Sequence, residues 1–247
     1  MKRIIEVCCG SYEDALQAHL GGADRIELNS ALHLGGLTPS TGTLKLTKAA
    51  VSIPVIAMVR PRGAGFCYSE KEAEVMMAEA KELLEAGADG IAFGFLNEDG
   101  SLDVDRNQAM ITLIHQYGKE AVFHRAFDCC KDPFTTMEQL IALGADRVLT
   151  SGLAAKAPEG SALIAKLQSR FGDQIEILAG SGVNATNARK LMDETGIFQV
   201  HSSCKAWRKD PTTHINEKVT YAYATGEFAD CYDLVSLDLV KELVNSI

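Results

Sequence analysis

Gly22-Ala-Asp-Arg-Ile-Glu-Leu28 returns as Gly87-Ala-Asp-Gly-Ile-Ala-Phe93 and Gly144-Ala-Asp-Arg-Val-Leu-Thr150, with a weaker echo at Gly196-Ile-Phe-Gln-Val-His201. The glycine suits the left-handed residue that ends a helix, and the apolar, partly β-branched residues behind it suit a buried strand. Each copy therefore reads as a helix-to-strand joint. The copies start 65, 57 and 52 residues apart, about twice the 30 or so residues of one βα unit, so each interval holds two units. The remaining strands are predicted at Arg3 to Cys8, Pro54 to Val59, Ala121 to Arg125 and Ile175 to Ala179, which brings the total to eight. Helix starts lie between them. Ser69 and Glu72 form a capping box ahead of Ala73, Met76, Met77, Ala80, Leu83 and Leu84, and Asp132-Pro133 supplies an N-cap and a first helical residue. Eight strands alternating with eight helices predict an α/β chain folded as a TIM (β/α)8 barrel. An open doubly wound sheet competes, but nothing marks the point where its strand order would reverse.

Working outward, no low-complexity linker divides the 247 residues, so residues 1–247 are expected to form one domain, with an irregular segment at about 205–232 before a last helix from Ser236 to Asn245. Lysine plus arginine number 24 against 33 aspartate plus glutamate, a net charge of −9. That excludes a broad nucleic-acid-binding surface and disfavours anionic membranes. The opening MKRIIEVCCG has no signal-peptide core and no run approaches a membrane span, so a cytoplasmic location is expected. Seven cysteines are an odd number, and the adjacent pairs Cys8, Cys9 and Cys129, Cys130 lack metal-finger spacing, so they read as free thiols.

A barrel carries its chemistry at the C-terminal ends of its strands. Alternation puts Glu6 with Cys8 on one face of the first strand and Glu27 with Asn29 on one face of the second. Two inward carboxylates on adjacent strands are candidate acid and base, or a buried pair held by arginine. Arg60, Arg62 and Arg125 are candidates to grip a carboxylate or phosphate, or else to neutralise Glu6, Glu27 or Asp128. Gly180-Ser181-Gly182 after the seventh strand, together with Ser202 and Ser203 after the eighth, offers a phosphate cradle or a tight turn. Ser151, at the end of the sixth strand, joins this ligand-binding set. His124 and Asp128 join Glu6 and Glu27 as catalytic candidates, and His201 is placed with the ligand-binding residues. No motif for a nucleotide cofactor and no strand-end lysine for Schiff-base chemistry is present.

The same residues resemble the CutC family of copper-homeostasis proteins. The likeness rests on Gly22 to Leu28, Gly35-Gly-Leu-Thr-Pro-Ser40, Arg60-Pro-Arg-Gly63 with Phe66 to Ser69, Phe123-His-Arg-Ala-Phe-Asp128, Arg147-Val-Leu-Thr-Ser-Gly152 and His201-Ser-Ser203. It implies a cytoplasmic barrel, a homodimer or higher homo-oligomer, linked to copper tolerance or copper binding. The partners implied are copper or a small anionic ligand. Two cysteines proposed as ligands in some members match Cys8 and Asn29 here, so only Cys8 carries over as a metal ligand. Where similar bacterial chains carry Tyr-Arg-Asn, this one reads His214-Ile-Asn216, which removes one anion contact.

Overall fold

A computed structural model describes residues 2–216 and 218–247. Strand and helix alternate as β1 (Ile4–Cys9), α1 (Tyr12–Leu20), β2 (Arg25–Leu28), α2 (Thr41–Ala50), β3 (Val55–Met58), α3 (Glu70–Glu85), β4 (Gly90–Phe93) and α4 (Val104–Gln116). The second half continues with β5 (Glu120–Phe123), α5 (Pro133–Leu143), β6 (Arg147–Thr150), α6 (Ser161–Phe171), β7 (Glu176–Ala179), α7 (Ala188–Thr195) and β8 (Gln199–Ser202). β9 (Lys205–Lys209) and β10 (Cys231–Val235) then precede α8 (Leu237–Ser246). β1 to β8 run parallel in sequence order and close, β8 pairing back onto β1. This is the predicted TIM (β/α)8 barrel.

The repeated motif does at each joint what its residues dictate. Gly22, Gly87 and Gly144 have φ of +91°, +100° and +85°, a left-handed turn that glycine adopts without strain. The alanine N–H then bonds back into the helix just ended, from Ala23 to Ala18, Ala88 to Leu83 and Ala145 to Leu140. The aspartate carboxylate accepts an N–H from the start of the preceding strand: Asp24 from Ile5 at 3.0 Å, Asp89 from Val55 at 2.9 Å and Asp146 from Ala121 at 2.7 Å. The aspartate thus closes the bottom of the barrel, a role the repeat implies only once its strands are paired. The fourth position points inward. Arg25 and Arg147 are buried there, and in the second copy Gly90 takes the place because a Cβ would lie 2.7 Å from Ile56 and from the Glu120 carbonyl.

The main core lies between barrel and helices, where outward strand residues such as Val7, Ile26, Phe93 and Phe123 meet Met76, Leu83 and Met110. Inside the barrel the lining divides. Ile56, Met58, Ala92 and Val122 make a separate apolar cluster from β3 to β5, whereas β1, β2, β6 and β8 bury Glu6, Arg25, Glu27, Arg147, Gln199 and His201. That asymmetry confines the polar chemistry to one side.

The segment expected to be irregular is partly a ribbon. β9 pairs antiparallel with β10 from Lys205↔Val235 to Lys209↔Cys231, Trp207 stacks on Phe228 at 4.6 Å, and Asp14 accepts the Val235 N–H at 2.7 Å. Five-residue strands separated by a long connection carry no local hairpin signal. The last helix, expected from Ser236 to Asn245, runs from Leu237 to Ser246 with Ser236 as its N-cap.

Candidate functional site

Strand register assembles the site. β1 against β2 sets Cys8 opposite Glu27, and β1 against β8 sets Glu6 opposite His201. All four point into the barrel, as do Asn29 and Arg25, two residues either side of Glu27. One Glu6 oxygen accepts from the Arg25 guanidinium and the other lies 2.8 Å from His201 Nδ1. Arg25 also donates to Gln199 at 2.7 Å, and Gln199 donates to Glu176 at 2.8 Å. A chain of buried polar contacts therefore runs from the barrel floor to its mouth. At the upper end Asn29 Nδ2 donates to Glu27 Oε2 at 3.0 Å and lies 3.5 Å from Cys8 Sγ, which is itself 3.7 Å from Glu27 Oε2. A sulfur of Cys8, an oxygen of Glu27 and a ring nitrogen of His201 all lie within 4.8 Å of one another.

The two carboxylates are driven apart. Burial disfavours the charge on Glu6, but Arg25 and the His201 hydrogen bond outweigh it and hold this carboxyl well below the usual range. Glu27 is pushed up, by burial first, with His201 opposing and Glu6 adding repulsion. For His201 burial opposes the proton, yet Glu27 and Glu6 together raise its pKa. Burial and the neighbouring Glu27 push the Cys8 thiol well up. With Nδ1–H donated to Glu6, the other ring nitrogen of His201 is left for a ligand.

Above this cluster opens a cavity of about 580 Å³, whose lining includes Cys8, Arg125, Ser181, Gly182, His201, Ser202 and Ser203. Seven of the residues singled out in the sequence thus share one wall, with Glu6 and Glu27 next to it through His201 and Cys8. Gly180 backs it, since a Cβ there would lie 3.3 Å from the His201 side chain.

Other candidates go elsewhere. Arg60 is buried and donates to the carbonyls of Leu34, Gly36 and Ala64, and Arg62 is tied to Glu72 and the Cys67 carbonyl. The three arginines therefore do not converge on one anion: two brace the loops after β2 and β3, and only Arg125 reaches the cavity. Asp128 accepts from Arg125 at 2.7 Å, Thr150 at 2.6 Å and the Ser151 and Leu153 N–H groups at 2.9 and 3.2 Å. It and Ser151 join the ends of β5 and β6 instead of meeting the Glu6 and Glu27 pair. His124 is buried, its Nδ1 accepts the Ala126 N–H at 3.1 Å, and burial beside Arg60 lowers its pKa to about 3. Burial thus favours the neutral ring near pH 7.

Only one thiol reaches the cluster. Cys9 is in the outer core and bonds the Val7 carbonyl, Cys204 lies against Ser202, and Cys67 is exposed. Asn29 fills the place of a second thiol. Sequence reasoning missed Arg25 and Gln199, which fix Glu6; the signal was the inward parity of Arg25 with Glu27.

The profile described as the CutC family matches residues 3–206. The chain belongs to the CutC family. A CutC family protein of Treponema denticola is 46% identical over 248 residues, covering 100% of both chains. The human copper homeostasis protein cutC homolog is 39% identical over 240 residues, 96% of this chain and 86% of that one. A Streptococcus agalactiae CutC crystal structure aligns with a TM-score of 0.77 at 30% identity, covering 81% of this chain and 98% of that one. A more distant barrel, KGPDC of Streptococcus mutans, has a TM-score of 0.61 at 12% identity, covers 100% of this chain and 97% of that one, and shares the fold alone. Among the described residues no helix is long and apolar enough to cross a membrane.

Proposed function

We propose that this CutC-family barrel handles copper by holding the ion on Cys8 Sγ, a Glu27 oxygen and the His201 nitrogen not bonded to Glu6. The observation that carries the reading is the sulfur, oxygen and nitrogen trio within 4.8 Å. Supporting it, Glu6 orients His201 as a carboxylate behind a metal-bound imidazole does. A divalent ion with one thiolate, two carboxylates and Arg25 also gives the buried cluster no net charge. Copper(II) heads the affinity order for such mixed donors, whereas copper(I) favours sites richer in sulfur. The copper-homeostasis name of the human relative points the same way.

The test is titration of the chelator-stripped chain with copper(II), and with zinc as a redox-silent control, reading stoichiometry by elemental analysis. One ion per chain is expected, with affinity falling at least about tenfold in Cys8→Ser and His201→Ala. Because the thiol must lose its proton to bind, the heat of binding should depend on the buffer's ionisation enthalpy. Equal binding by parent and Cys8→Ser refutes the reading.

A second reading is favoured by the opposite displacement of Glu6 and Glu27. We read that as a division of roles, Glu6 the group that stays charged and Glu27 the readier proton donor, in an enzyme acting on a small phosphorylated or carboxylated metabolite. A metabolite thermal-shift screen in which no anion stabilises the chain would count against it.

A further inference from the structure

The side of the barrel mouth away from the cavity holds buried donors that the fold itself leaves unmet. Arg60, Gly94 and His124 each stand two residues beyond a member of the apolar cluster inside the barrel, Met58, Ala92 and Val122. By alternation they form the next inward layer, above β3, β4 and β5. Gly94 carries no side chain, and a Cβ there would lie 2.9 Å from the His124 ring. The imidazole therefore lies over β4, on the Arg60 side of its own strand. Phe66 touches both groups: its ring centre is 5.1 Å from Arg60 Cζ and 4.9 Å from the centre of the imidazole.

Arg60 is 5% exposed and His124 2%. Arg60 donates to the carbonyls of Leu34, Gly36 and Ala64, meets no carboxylate among the described residues, and its Nε has no partner there. His124 Nδ1 accepts the Ala126 N–H at 3.1 Å, which puts the ring's proton on Nε2, and that atom has no partner either. The Tyr68 hydroxyl, buried beside Arg60, is a third polar atom left unmatched. A buried donor costs free energy when no acceptor meets it, and a buried cation whose partners are all neutral costs more. The two N–H groups lack an acceptor, and Arg60 favours one that carries negative charge.

We propose that a small organic carboxylate binds between Arg60 and His124, its oxygens accepting from Arg60 Nε and His124 Nε2 beneath the Phe66 ring. A planar carboxylate suits the edge of a guanidinium, whereas a phosphoryl group would bring three acceptor oxygens to a place with two free N–H donors. The inference rests on the metabolite reading above and narrows it to carboxylates. It also moves the ligand away from the cavity over the metal-binding trio, which neither Arg60 nor His124 lines. Phe66 is half-buried, its carbonyl is fixed by the Leu96 N–H at 2.9 Å, and Ala64, Gly65 and Cys67 around it are exposed. Rotation of that one ring opens the site while the loop stays in place.

The experiment uses the full, chelator-treated chain with acetate as the probe, and inorganic phosphate and chloride as controls, at constant pH and ionic strength. Acetate is expected to raise the melting temperature saturably and to move the His124 Nε2–H proton resonance downfield as its hydrogen bond forms. Chloride and phosphate should leave that resonance in place. His124→Leu, which replaces the donor with an apolar side chain, should weaken acetate binding at least about tenfold, the worth of one hydrogen bond to a charged group. Should that variant not fold, the resonance of the parent chain still decides. A His124 resonance indifferent to acetate, the result if water alone meets Nε2, overturns the proposal; if another anion still stabilises the chain, the metabolite reading stands without it. Equal acetate binding by a folded His124→Leu chain also overturns it. If neither acetate nor phosphate stabilises the parent, both fall.

Discussion

Arg25→Met is the most informative single change, because it removes the counter-charge of Glu6 while keeping the side chain's bulk. The Arg25 and Glu6 side chains are 6% and 2% exposed, so solvent does not replace the lost partner. Breaking a buried pair by deleting one member costs about 3–5 kcal/mol, because the other charge is stranded. At about 2–4 °C per kcal/mol for a chain of this size, the melting temperature should fall by roughly 6–20 °C. Arg25→Met with Glu6→Leu should recover most of the loss, since an apolar pair of similar volume replaces a buried ion pair at little cost. The pH dependence has a definite sign. Glu6 is held well below its ordinary range, so the stability it contributes is complete above the unfolded value, about 4.3, and is lost as pH falls through the folded value. The gap between parent and Arg25→Met should therefore be widest near neutrality and narrow below about pH 4 as Glu6 becomes neutral in the variant. Thermal and urea unfolding of the four chains of the cycle, followed by circular dichroism, measure all of this. A loss under about 1 kcal/mol in Arg25→Met, or additive losses in the double variant, would refute the view that these charges depend on one another.

Two further outcomes follow from particular contacts. Asp89→Ala removes the acceptor of the Val55 N–H at the barrel floor, and leaving that buried donor unmet should cost about 1–3 kcal/mol in urea unfolding; a neutral effect would deny the repeated aspartate its closing role. His124 is held neutral by burial and Arg60, its pKa lowered to about 3, so the unfolded chain takes up a proton near pH 6.5 that the folded chain refuses. Stability should therefore decline as pH drops from about 6.5 toward 3, and His124→Gln should flatten that limb by up to about 1.4 kcal/mol per pH unit. Parallel limbs in parent and variant would show that His124 is not the group responsible.

The barrel was legible because its signals are local. Glycine at a helix end, alanine bonding back and apolar residues entering a strand require only neighbours in the chain, and the capping box at Ser69 formed as its spacing dictates. Alternation likewise placed Glu6, Cys8, Glu27 and Asn29 inside the barrel. What alternation leaves open is which inward side chains meet. The pairing of Cys8 with Glu27 and of Glu6 with His201 depends on strand register across the closure, which brings together residues 195 positions apart. Arginine is the clearest case. Four inward or rim guanidiniums look alike in the sequence, yet Arg25 holds Glu6, Arg60 and Arg62 brace loops, and Arg125 alone faces the cavity. A long flexible side chain goes wherever unpaired carbonyls or carboxylates lie within reach, and only the folded chain sets those positions. The sequence by itself determined the eight-fold alternation and the inward set; the tertiary structure decided which members of that set became partners, and with them how the two carboxylates divide their charge.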